Sequence, residues 1–466
     1  MSRRKSNILI IYCDQLTSFA LGCYGNEFVK TPNIDRLAAR GVRFEVGISN
    51  TPTCVPARSN ILTGQYARTC VGSRHNEILS KGSLGCSNRN KHPDKTLPEA
   101  MKEQGCKTAH IGKWHIDSTP SQMGFDRSLV TTSYYSKAAF IENETRAFKV
   151  TGFSADFELK TLRNYVAENR NEPFFVYFNI TAPHMPILDA PYQYSRKYDP
   201  LKTPLRSNVW KDGSLPFDKD WFSIYMWEHD YREYCEDHPV PVTALPTDDF
   251  DIRNLTALYY GGVTWADAVV GHVMDCLEEN GLTEDTIILF SSDHGDQLGS
   301  QHLFNKARLY EESIRIPMIY SWPSKIKPHV NDRQVVSLID VMPTLIDLAG
   351  GAAPDSVQGQ SLVPLLEGKR DELDCNYAIV ETPYRELGIR TMTHMCGVLL
   401  DEADRDIEQR DYQFFNIAND PYQQNNLAGT EHERGMFGGL QDRLTEYNQN
   451  TPRLTGAGHY PWVPGL

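Results

Sequence analysis

Apolar segments of strand length alternate with helical patterns over most of the chain. Five continuous apolar runs have the length of buried strands: 7–13, 107–111, 174–180, 286–290 and 316–320. Helix signals, namely an N-cap, an early proline, a closing glycine or a 3.6-residue apolar period, lie at 31–41, 54–64, 96–105, 255–277 and 337–350. Continuous apolar strands between helices are typical of a parallel sheet that is covered on both faces. The pattern therefore predicts the α/β class, with a large, mainly parallel sheet sandwiched by helices.

The pattern changes after residue 368. Short apolar segments separated by polar turns follow at 377–381, 395–400 and 412–417. They predict a smaller C-terminal α+β domain with an antiparallel sheet over residues 369–466, after a large N-terminal domain over residues 1–368. Within the large domain, residues 185–251 interrupt the alternation with prolines, charges and aromatic residues. That segment is either a structural excursion or a wall that selects a ligand.

The composition excludes some classes of partner. The formal charge is −13, and no basic stripe offsets it, so a nucleic-acid surface is not expected. The apolar run 7–13 is too short for the core of a signal peptide and far too short to span a bilayer. We therefore expect a cytoplasmic protein without a membrane partner. Its ten cysteines include no Cys-x-x-Cys pair, so most of them should be reduced.

Polar and ionisable side chains follow four of the predicted strands. They are Asp14 and Gln15, the turn Gly112-Lys113-Trp114-His115, His184 after Pro183, and Asp293-His294. In open parallel sheets, ligands bind beyond the carboxyl ends of the strands. The sequence therefore predicts one site, at one edge of the sheet, that collects these groups.

Two aspartates in this set suit a divalent cation. Carboxylate and amide oxygens are the ligands that Ca²⁺ and Mg²⁺ prefer. Asp14 and Asp293 are thus the first candidate ligands, and Gln15 and His294 come next. A single carboxylate of this kind is more often a loop cap, but two at neighbouring strand ends favour a metal site.

The basic residues around the same point suit proton transfer and anion binding. Lys113, His115, His184 and Lys306 supply cations and proton carriers. Each of them alone is usually a solvated or structural residue. The turns that carry them would present them together, which favours general acid and base roles, because a leaving alkoxide needs a proton and a nucleophile must lose one.

The segment Cys54-Val55-Pro56-Ala57-Arg58 places a cysteine at the N-terminus of a helix. The free N–H groups and the dipole of a helix N-terminus stabilise a thiolate or a bound oxyanion. Arg58, one turn further on, offers a fork of donors for sulfate or phosphate oxygens. Taken alone, the segment fits a buried structural cysteine beside a surface arginine equally well.

Together these motifs resemble the type I sulfatases of the alkaline phosphatase superfamily. The matching elements are the C-x-P-x-R signature with its Leu-Thr-Gly turn, Asp14, the Gly-Lys-Trp-His turn, the Pro-His-x-Pro turn, Ser292-Asp293-His294-Gly295, Lys306 and the segment 419–427. The resemblance covers nearly the whole chain. It implies an alkaline phosphatase-like fold and a catalytic large domain that hydrolyses a sulfate monoester of a small molecule or a carbohydrate.

The resemblance also implies the chemistry at each position. Cys54 would be oxidised by a formylglycine-generating maturation enzyme to formylglycine, whose hydrate attacks sulfur and also ligates one Ca²⁺, with Mg²⁺ or Mn²⁺ as alternatives. His184 and Lys306 would assist the departing alcohol. His115 would take the proton of the second hydroxyl. Two residues would hold the hydrate and its charge: Arg58 and Lys113.

The chain departs from the commonest family pattern at Gln15, where many relatives have a second aspartate. This change removes one negative charge, and Gln15 would then ligate the metal through its amide oxygen. Three further positions are weaker candidates. Asn76 and Asn305 are either ligands or groups behind the ligands, and His302 is either a substrate contact or a structural residue.

Three functions stay open from the sequence. The first is a sulfuric ester hydrolase. The alternative is a phosphonate monoester or phosphodiester hydrolase, because members of the same superfamily use the same hydrate and metal on phosphorus, and the Asp14-Gln15 pair keeps that option open. The third is a non-catalytic binding protein with an unmodified Cys54, against which the retention of the expected polar groups argues. The alcohol part of the substrate is not specified.

Overall fold

The computed structural model of the chain describes residues 6–71, 94–116, 118–132, 135–209, 249–401, 406–408, 411–431 and 434–454, and for residues 249–251 only the backbone. Two of the sequence predictions lie outside the described residues. They are Asn76 and most of the interrupted segment, residues 210–248.

The large sheet contains eleven of the described strands. In chain order they are β1 Asn7–Asp14, β2 Val42–Ile48, β3 Lys107–Lys113, β4 Arg127–Thr131, β5 Ala139–Glu142, β6 Arg146–Lys149, β7 Phe174–Pro183, β8 Thr286–Ser292, β9 Arg315–Ile316, β10 Met318–Ser321 and β11 His329–Ser337. Their spatial order is β11-β2-β10-β8-β1-β7-β3-β4-β5-β6, and β9 pairs with β2. The central block β8-β1-β7-β3-β4 is parallel throughout. The prediction of a large, mainly parallel sheet is confirmed.

Helices cover both faces of this sheet. The α-helices of the described residues, in chain order, are α1 Pro32–Ala38, α2 Cys54–Thr63, α3 Ala67–Cys70, α4 Leu97–Glu103, α5 Ser154–Asn169, α6 Tyr192–Ser195, α7 Asp249–Glu279, α8 Glu311–Ile314, α9 Val341–Leu348, α10 Val363–Leu366 and α11 Arg434–Asn450. Leu9 and Ile11 of β1 belong to the core that contains α5 and α7. Ile8 and Ile10 belong to the core that contains α2, α4 and α9. Since side chains alternate along a strand, β1 is apolar on both faces, as its continuous apolar run predicts.

Pro317 divides the predicted strand 316–320 into β9 and β10. Proline lacks the N–H that a central strand donates to its neighbour, so the run cannot pair along its whole length. β10 runs antiparallel to both β8 and β2, which makes the large sheet mixed at this point. The apolar pattern predicts the segment but not this direction.

A second, smaller sheet lies in the C-terminal part of the chain. Its strands are β12 Tyr377–Glu381, β13 Glu386–Thr391, β14 His394–Leu399 and β15 Gln413–Asn416, all antiparallel in the order β12-β13-β14-β15. One face packs on α11 through Phe437 and Leu444. The other shares a core with Val46 and Ile48 of β2. The antiparallel sheet is confirmed, whereas β13 and α11 were not predicted, and the boundary at residue 368 stays a prediction.

Within the part of the chain that the structure describes, we find no helix with the length and apolar character needed to cross a membrane.

Candidate active site

The carboxyl ends of four parallel strands meet at one edge of the large sheet. The strands β8, β1, β7 and β3 are consecutive neighbours. Asp14 is the last residue of β1 and Lys113 is the last residue of β3, while Asp293 directly follows β8 and His184 directly follows β7. The structure thus brings together the groups that the sequence places after four separate strands.

Cys54 begins α2 and faces this edge. Thr53 before it has an extended backbone, and Gly64 ends the helix in the left-handed region at φ 65°. The Cys54 side chain is almost fully buried, and its Sγ lies 3.0 Å from Lys306 Nζ, 3.2 Å from His294 Nε2 and 3.8 Å from Asp14 Oδ1. The predicted helix N-terminus therefore delivers Cys54 into the strand-end cluster.

Four side chains offer ligand atoms that lie within 4.8 Å of one another: Asp14, Cys54, Asp293 and His294. His294 Nδ1 donates to the Gly295 carbonyl at 2.9 Å, which leaves Nε2 facing the cluster. Burial and the neighbouring Asp14 carboxylate raise the pKa of Asp293. A bound cation would remove this repulsion. Two carboxylates and one imidazole therefore fit a divalent metal ion.

Arg58 lies behind the two carboxylates. Its Nη2 donates to Asp14 Oδ2 at 2.8 Å and to Asp293 Oδ2 at 3.1 Å, and its Nη1 donates to the Asn179 side chain and to the Lys113 carbonyl. The guanidinium is fully buried. Its hydrogen bonds go to the candidate metal ligands and their supports. The expectation that Arg58 holds the hydrate and its charge stays a prediction.

Gln15 is tied into the cluster by its backbone and its side chain. The backbone N–H donates to Asp293 Oδ1 at 2.9 Å, in the left-handed region at φ 65°. The amide nitrogen donates to Asp296, while the amide oxygen accepts from Lys306 Nζ at 3.2 Å. The oxygen predicted as a metal ligand thus faces a lysine here.

Two lysines supply positive charge at the centre of the site. Lys113 Nζ lies 2.7 Å from Asp14 Oδ2, and Lys306 Nζ reaches Cys54 Sγ. Burial opposes the charged form of Lys306, but the Cys54 and Asp14 charges outweigh it and raise the pKa of Lys306. Burial likewise opposes a Cys54 thiolate, but Lys306 and Lys113 outweigh it and hold the pKa of Cys54 well below its usual value. Position 54 therefore favours a negative charge.

Besides His294, two histidines of the site lie near Cys54 on different turns, namely His184 and His115. His184 Nδ1 donates to the Met185 carbonyl, so the neutral ring carries its lone pair on Nε2, which lies 3.4 Å from Lys306 Nζ. Burial and the Lys113 charge lower the pKa of His184 to about 4. His115 is exposed, has φ 56° and lies close enough to Cys54 to contribute to the lowered pKa of that thiol.

Two of the weaker candidates, Asn305 and His302, lie on the loop that carries Lys306. Asn305 directly precedes Lys306, and its Oδ1 is buried without a hydrogen-bond partner among the described residues. His302 is exposed at φ 57° on the same loop.

Three residues that support the site were missed by the sequence reasoning. Asn179 in β7 accepts from Arg58 Nη1, Asp296 accepts from Gln15, and the Tyr259 hydroxyl donates to the Gln15 carbonyl at 2.6 Å. Asn179 is a polar residue inside an apolar strand, and this is a signal that could have found it. Asp296 stands in the motif that follows β8. Nothing in the pattern of α7 distinguishes Tyr259.

Comparison with known proteins bears on the whole chain. A profile of the sulfatase family matches residues 6–352, and a profile for the C-terminal region of N-sulphoglucosamine sulphohydrolase matches residues 299–450. The ulvan-active sulfatase of Formosa agariphila is 29% identical over 468 residues, which cover 94% of this chain and 80% of that protein.

The solved structures that share the fold include the following two. One contains a protein in complex with its substrate D-glucosamine-2-N,6-O-disulfate, with a TM-score of 0.78 at 22% identity over 97% of this chain and 100% of that one. The other is a phosphonate monoester hydrolase from Silicibacter pomeroyi, with a TM-score of 0.70 at 20% identity over 96% of each chain. The predicted alkaline phosphatase-like fold is confirmed.

Proposed function

The chain belongs to the sulfatase family and is a sulfuric ester hydrolase, and we propose that its nucleophile is a formylglycine made from Cys54. The observation that carries the proposal is the place of the Cys54 Sγ, within 3.2 Å of both Lys306 Nζ and His294 Nε2. An oxygen at this position would lie at a helix N-terminus, between a lysine and the candidate metal ligands.

The same donor set supports a resident Ca²⁺. Asp14, Asp293 and His294 would hold the ion, with position 54 as a further ligand. When bound, the ion would offset the two buried carboxylates and polarise the sulfate oxygens. Arg58 positions both carboxylates from behind through its hydrogen bonds to their Oδ2 atoms.

Lys306 is the proton donor for the leaving alcohol in this proposal. One hydroxyl of the formylglycine hydrate loses its proton to solvent, because the lysines around position 54 favour an anion there, and attacks sulfur. Deprotonation of the second hydroxyl then breaks the bond between the formylglycine carbon and the sulfate oxygen, which releases sulfate and restores the aldehyde. As the bond between sulfur and the alcohol oxygen breaks, that oxygen takes a proton from Lys306 Nζ. His184 is neutral above its lowered pKa, so its Nε2 accepts from Lys306 and orients the ammonium.

His115 takes the proton of the second hydroxyl. Its support is its place beside position 54 and its exposure, which lets the proton pass on to solvent. Lys113, 2.7 Å from Asp14 Oδ2, adds positive charge beside the transferred sulfate.

For the substrate we propose a sulfated carbohydrate. The support is the similarity to a sulfatase that acts on ulvan and the shared fold with a protein bound to a glucosamine disulfate. The chain carries −13 overall, so the lysines of the site provide the local positive charge that an anionic ester needs.

Mass spectrometry of the peptide spanning Cys54 tests the nucleophile. After coexpression with a maturation enzyme, we expect the aldehyde or its hydrate at position 54, together with turnover of an aryl sulfate. The Cys54→Ala variant is the matched control and should fold but not turn over. Full turnover by protein that carries only unmodified cysteine contradicts the proposal.

The phosphonate alternative is separated by substrate preference. We expect kcat/KM for an aryl sulfate to exceed that for the matching aryl phosphonate monoester, measured on one preparation of converted enzyme. The reverse order would assign the site to phosphorus esters while leaving the formylglycine intact.

A further inference from the structure

Lys306 lies between two residues whose backbones adopt the left-handed region. Asn305 has φ 66° and Ala307 has φ 73°, and neither is a glycine. Residues other than glycine keep this conformation only where the surrounding structure holds them in place. The loop that presents Lys306 to position 54 therefore depends on contacts with other parts of the fold.

One face of β13 supplies contacts of this kind. Side chains at every second position of a strand share a face, and Glu386 and Arg390 lie on the same face of β13. Glu386 accepts from Arg308 Nη1 at 3.2 Å. Arg390 donates from Nε and Nη2 to the two carboxylate oxygens of Glu311, at 2.7 and 3.0 Å. Glu386, Arg390 and Glu311 are almost fully buried, and an unpaired buried charge is costly, so these pairs fix which part of the loop lies on β13.

A pair of glycines lies between these two ion pairs. Gly388 shares the face of β13 with them and is directly opposite Gly397 of β14. A Cβ atom added to Gly397 would lie 2.6 Å from Leu309 Cδ1, and one added to Gly388 would lie 2.9 Å from Leu309 Cδ2. Leu309 is fully buried there. Glycine weakens the interior of a strand, and a close approach by another group is a reason for its presence. The glycine pair therefore admits the Leu309 side chain.

We propose that this face of β13, together with Gly397, positions Lys306 for proton transfer to the leaving alcohol. Leu309 follows Lys306 by three residues, which span at most about 10 Å, so a displacement of Leu309 would also move the ammonium. Lys306 Nζ lies 3.0 Å from Cys54 Sγ and 3.4 Å from His184 Nε2. A misplacement of about 1 Å in such a group costs on the order of 10²-fold in rate. The inference rests on the proposed function, since it takes Lys306 as the proton donor, and it assigns a part in that reaction to the smaller sheet.

The dependence of the rate on the leaving group tests this role. A proton donor matters most for a basic leaving group, so phenyl sulfate should depend on Lys306 more than 4-nitrophenyl sulfate does. In converted enzyme, we expect Leu309→Ala to lower kcat/KM for phenyl sulfate about tenfold more than kcat/KM for 4-nitrophenyl sulfate. Leu387→Ala is the matched control, because Leu387 is equally buried and lies on the other face of β13, in the core shared with α11. It should leave the ratio of the two kcat/KM values as in the wild type.

Gly397→Ala tests the same contact without creating a cavity, in case Leu309→Ala does not fold. The added methyl group would press on Leu309 and should change the ratio in the same direction. In the double variant Gly397→Ala/Leu309→Val, the smaller side chain at position 309 makes room for the methyl group. The total volume is then conserved, and the ratio should return towards that of the wild type.

Lys306→Met separates a failure of this inference from a failure of the proposed function. If Lys306→Met leaves the ratio of the two kcat/KM values unchanged, Lys306 is not the proton donor, and this inference fails with the proposed role. If Lys306→Met changes the ratio but Leu309→Ala and Gly397→Ala do not, only the positioning role is overturned. An equal change in Leu387→Ala also overturns it, because the effect would then follow from lost packing anywhere in the smaller sheet.

Discussion

Replacement of Arg58 by methionine tests whether this buried cation balances the candidate metal ligands. Arg58 donates to Asp14 at 2.8 Å and to Asp293 at 3.1 Å, with no exposed surface on any of the three side chains. The variant Arg58→Met keeps most of the volume but leaves two carboxylates without their shared cation.

The expected loss of stability follows from the cost of removing one partner of a buried ion pair. Removal of one partner costs about 3–5 kcal/mol, because the remaining charge stays buried. For a chain of 466 residues, an unfolding entropy of about 2.1 cal/mol/K per residue amounts to roughly 1 kcal/mol/K. We therefore expect the Tm of the metal-free variant to fall by about 3–5 °C.

Addition of Ca²⁺ distinguishes a metal site from a structural ion pair. Without metal, the Tm of Arg58→Met should lie below that of the wild type. A saturating Ca²⁺ concentration should remove most of this difference, because the ion supplies the missing positive charge. Arg68→Met is the matched control. Arg68 is a buried arginine that pairs with Glu381, and neither residue belongs to the cluster. Ca²⁺ should therefore not reduce the difference in Tm between Arg68→Met and the wild type.

Two results would refute this reasoning. A metal-free Arg58→Met protein as stable as the wild type would mean that the carboxylates need no cation. A Ca²⁺-induced rise in Tm that is no larger in Arg58→Met than in the wild type and in Arg68→Met would mean that the ion does not replace the charge of Arg58 at Asp14 and Asp293.

Three further predictions concern the reaction, the metal and a remote carboxyl. Lys306→Met should lower kcat for an aryl sulfate by on the order of 10²–10³-fold in converted enzyme, as loss of one key electrostatic donor does; an unchanged kcat contradicts the role of Lys306 as proton donor. Chelation should abolish turnover and Ca²⁺ should restore it, whereas activity that survives exhaustive chelation contradicts the metal assignment. Burial raises the pKa of Glu158 to about 7, so wild-type stability should fall as the pH rises from about 4.5 to 7. Glu158→Gln should remove that pH dependence and, in denaturant titrations at pH 8, be more stable than the wild type by up to about 3 kcal/mol. If the unfolding free energies of both proteins change equally with pH, the raised pKa is contradicted.

The centre of the sheet and the location of the site could be predicted because they depend on short-range patterns. β1, β3, β7 and β8 read as continuous apolar runs, since buried parallel strands need apolar side chains on both faces. The polar residues directly after them must then share one edge. The pairing of Cys13 with Ser292 puts Asp14 and Asp293 side by side, as their positions after two apolar runs predict.

The sheet edges and the contacts behind the site could not be predicted in the same way. β5 and β6 are four-residue strands with mostly exposed or half-exposed side chains, so their apolar signal is weak. The direction of the Arg58 side chain depends on the position of Asn179 in β7, which is 121 residues away in the chain. The sequence motif identifies Arg58, but only the tertiary arrangement shows that its hydrogen bonds go to carboxylates.

Gln15 shows how the site accommodates the change from the commoner second aspartate. The amide nitrogen of Gln15 donates to the Asp296 carboxylate. A carboxylate is thus hydrogen-bonded to position 15, where many relatives have a second aspartate. A second aspartate at position 15 would face Asp296 directly, and two adjacent buried carboxylates repel. The neutral amide instead bonds a carboxylate on one side and Lys306 on the other. The loss of one charge from the candidate metal site is thus accompanied by a link that orients the lysine beside position 54. The Asp14-Gln15 pair does not by itself argue against sulfate ester hydrolysis.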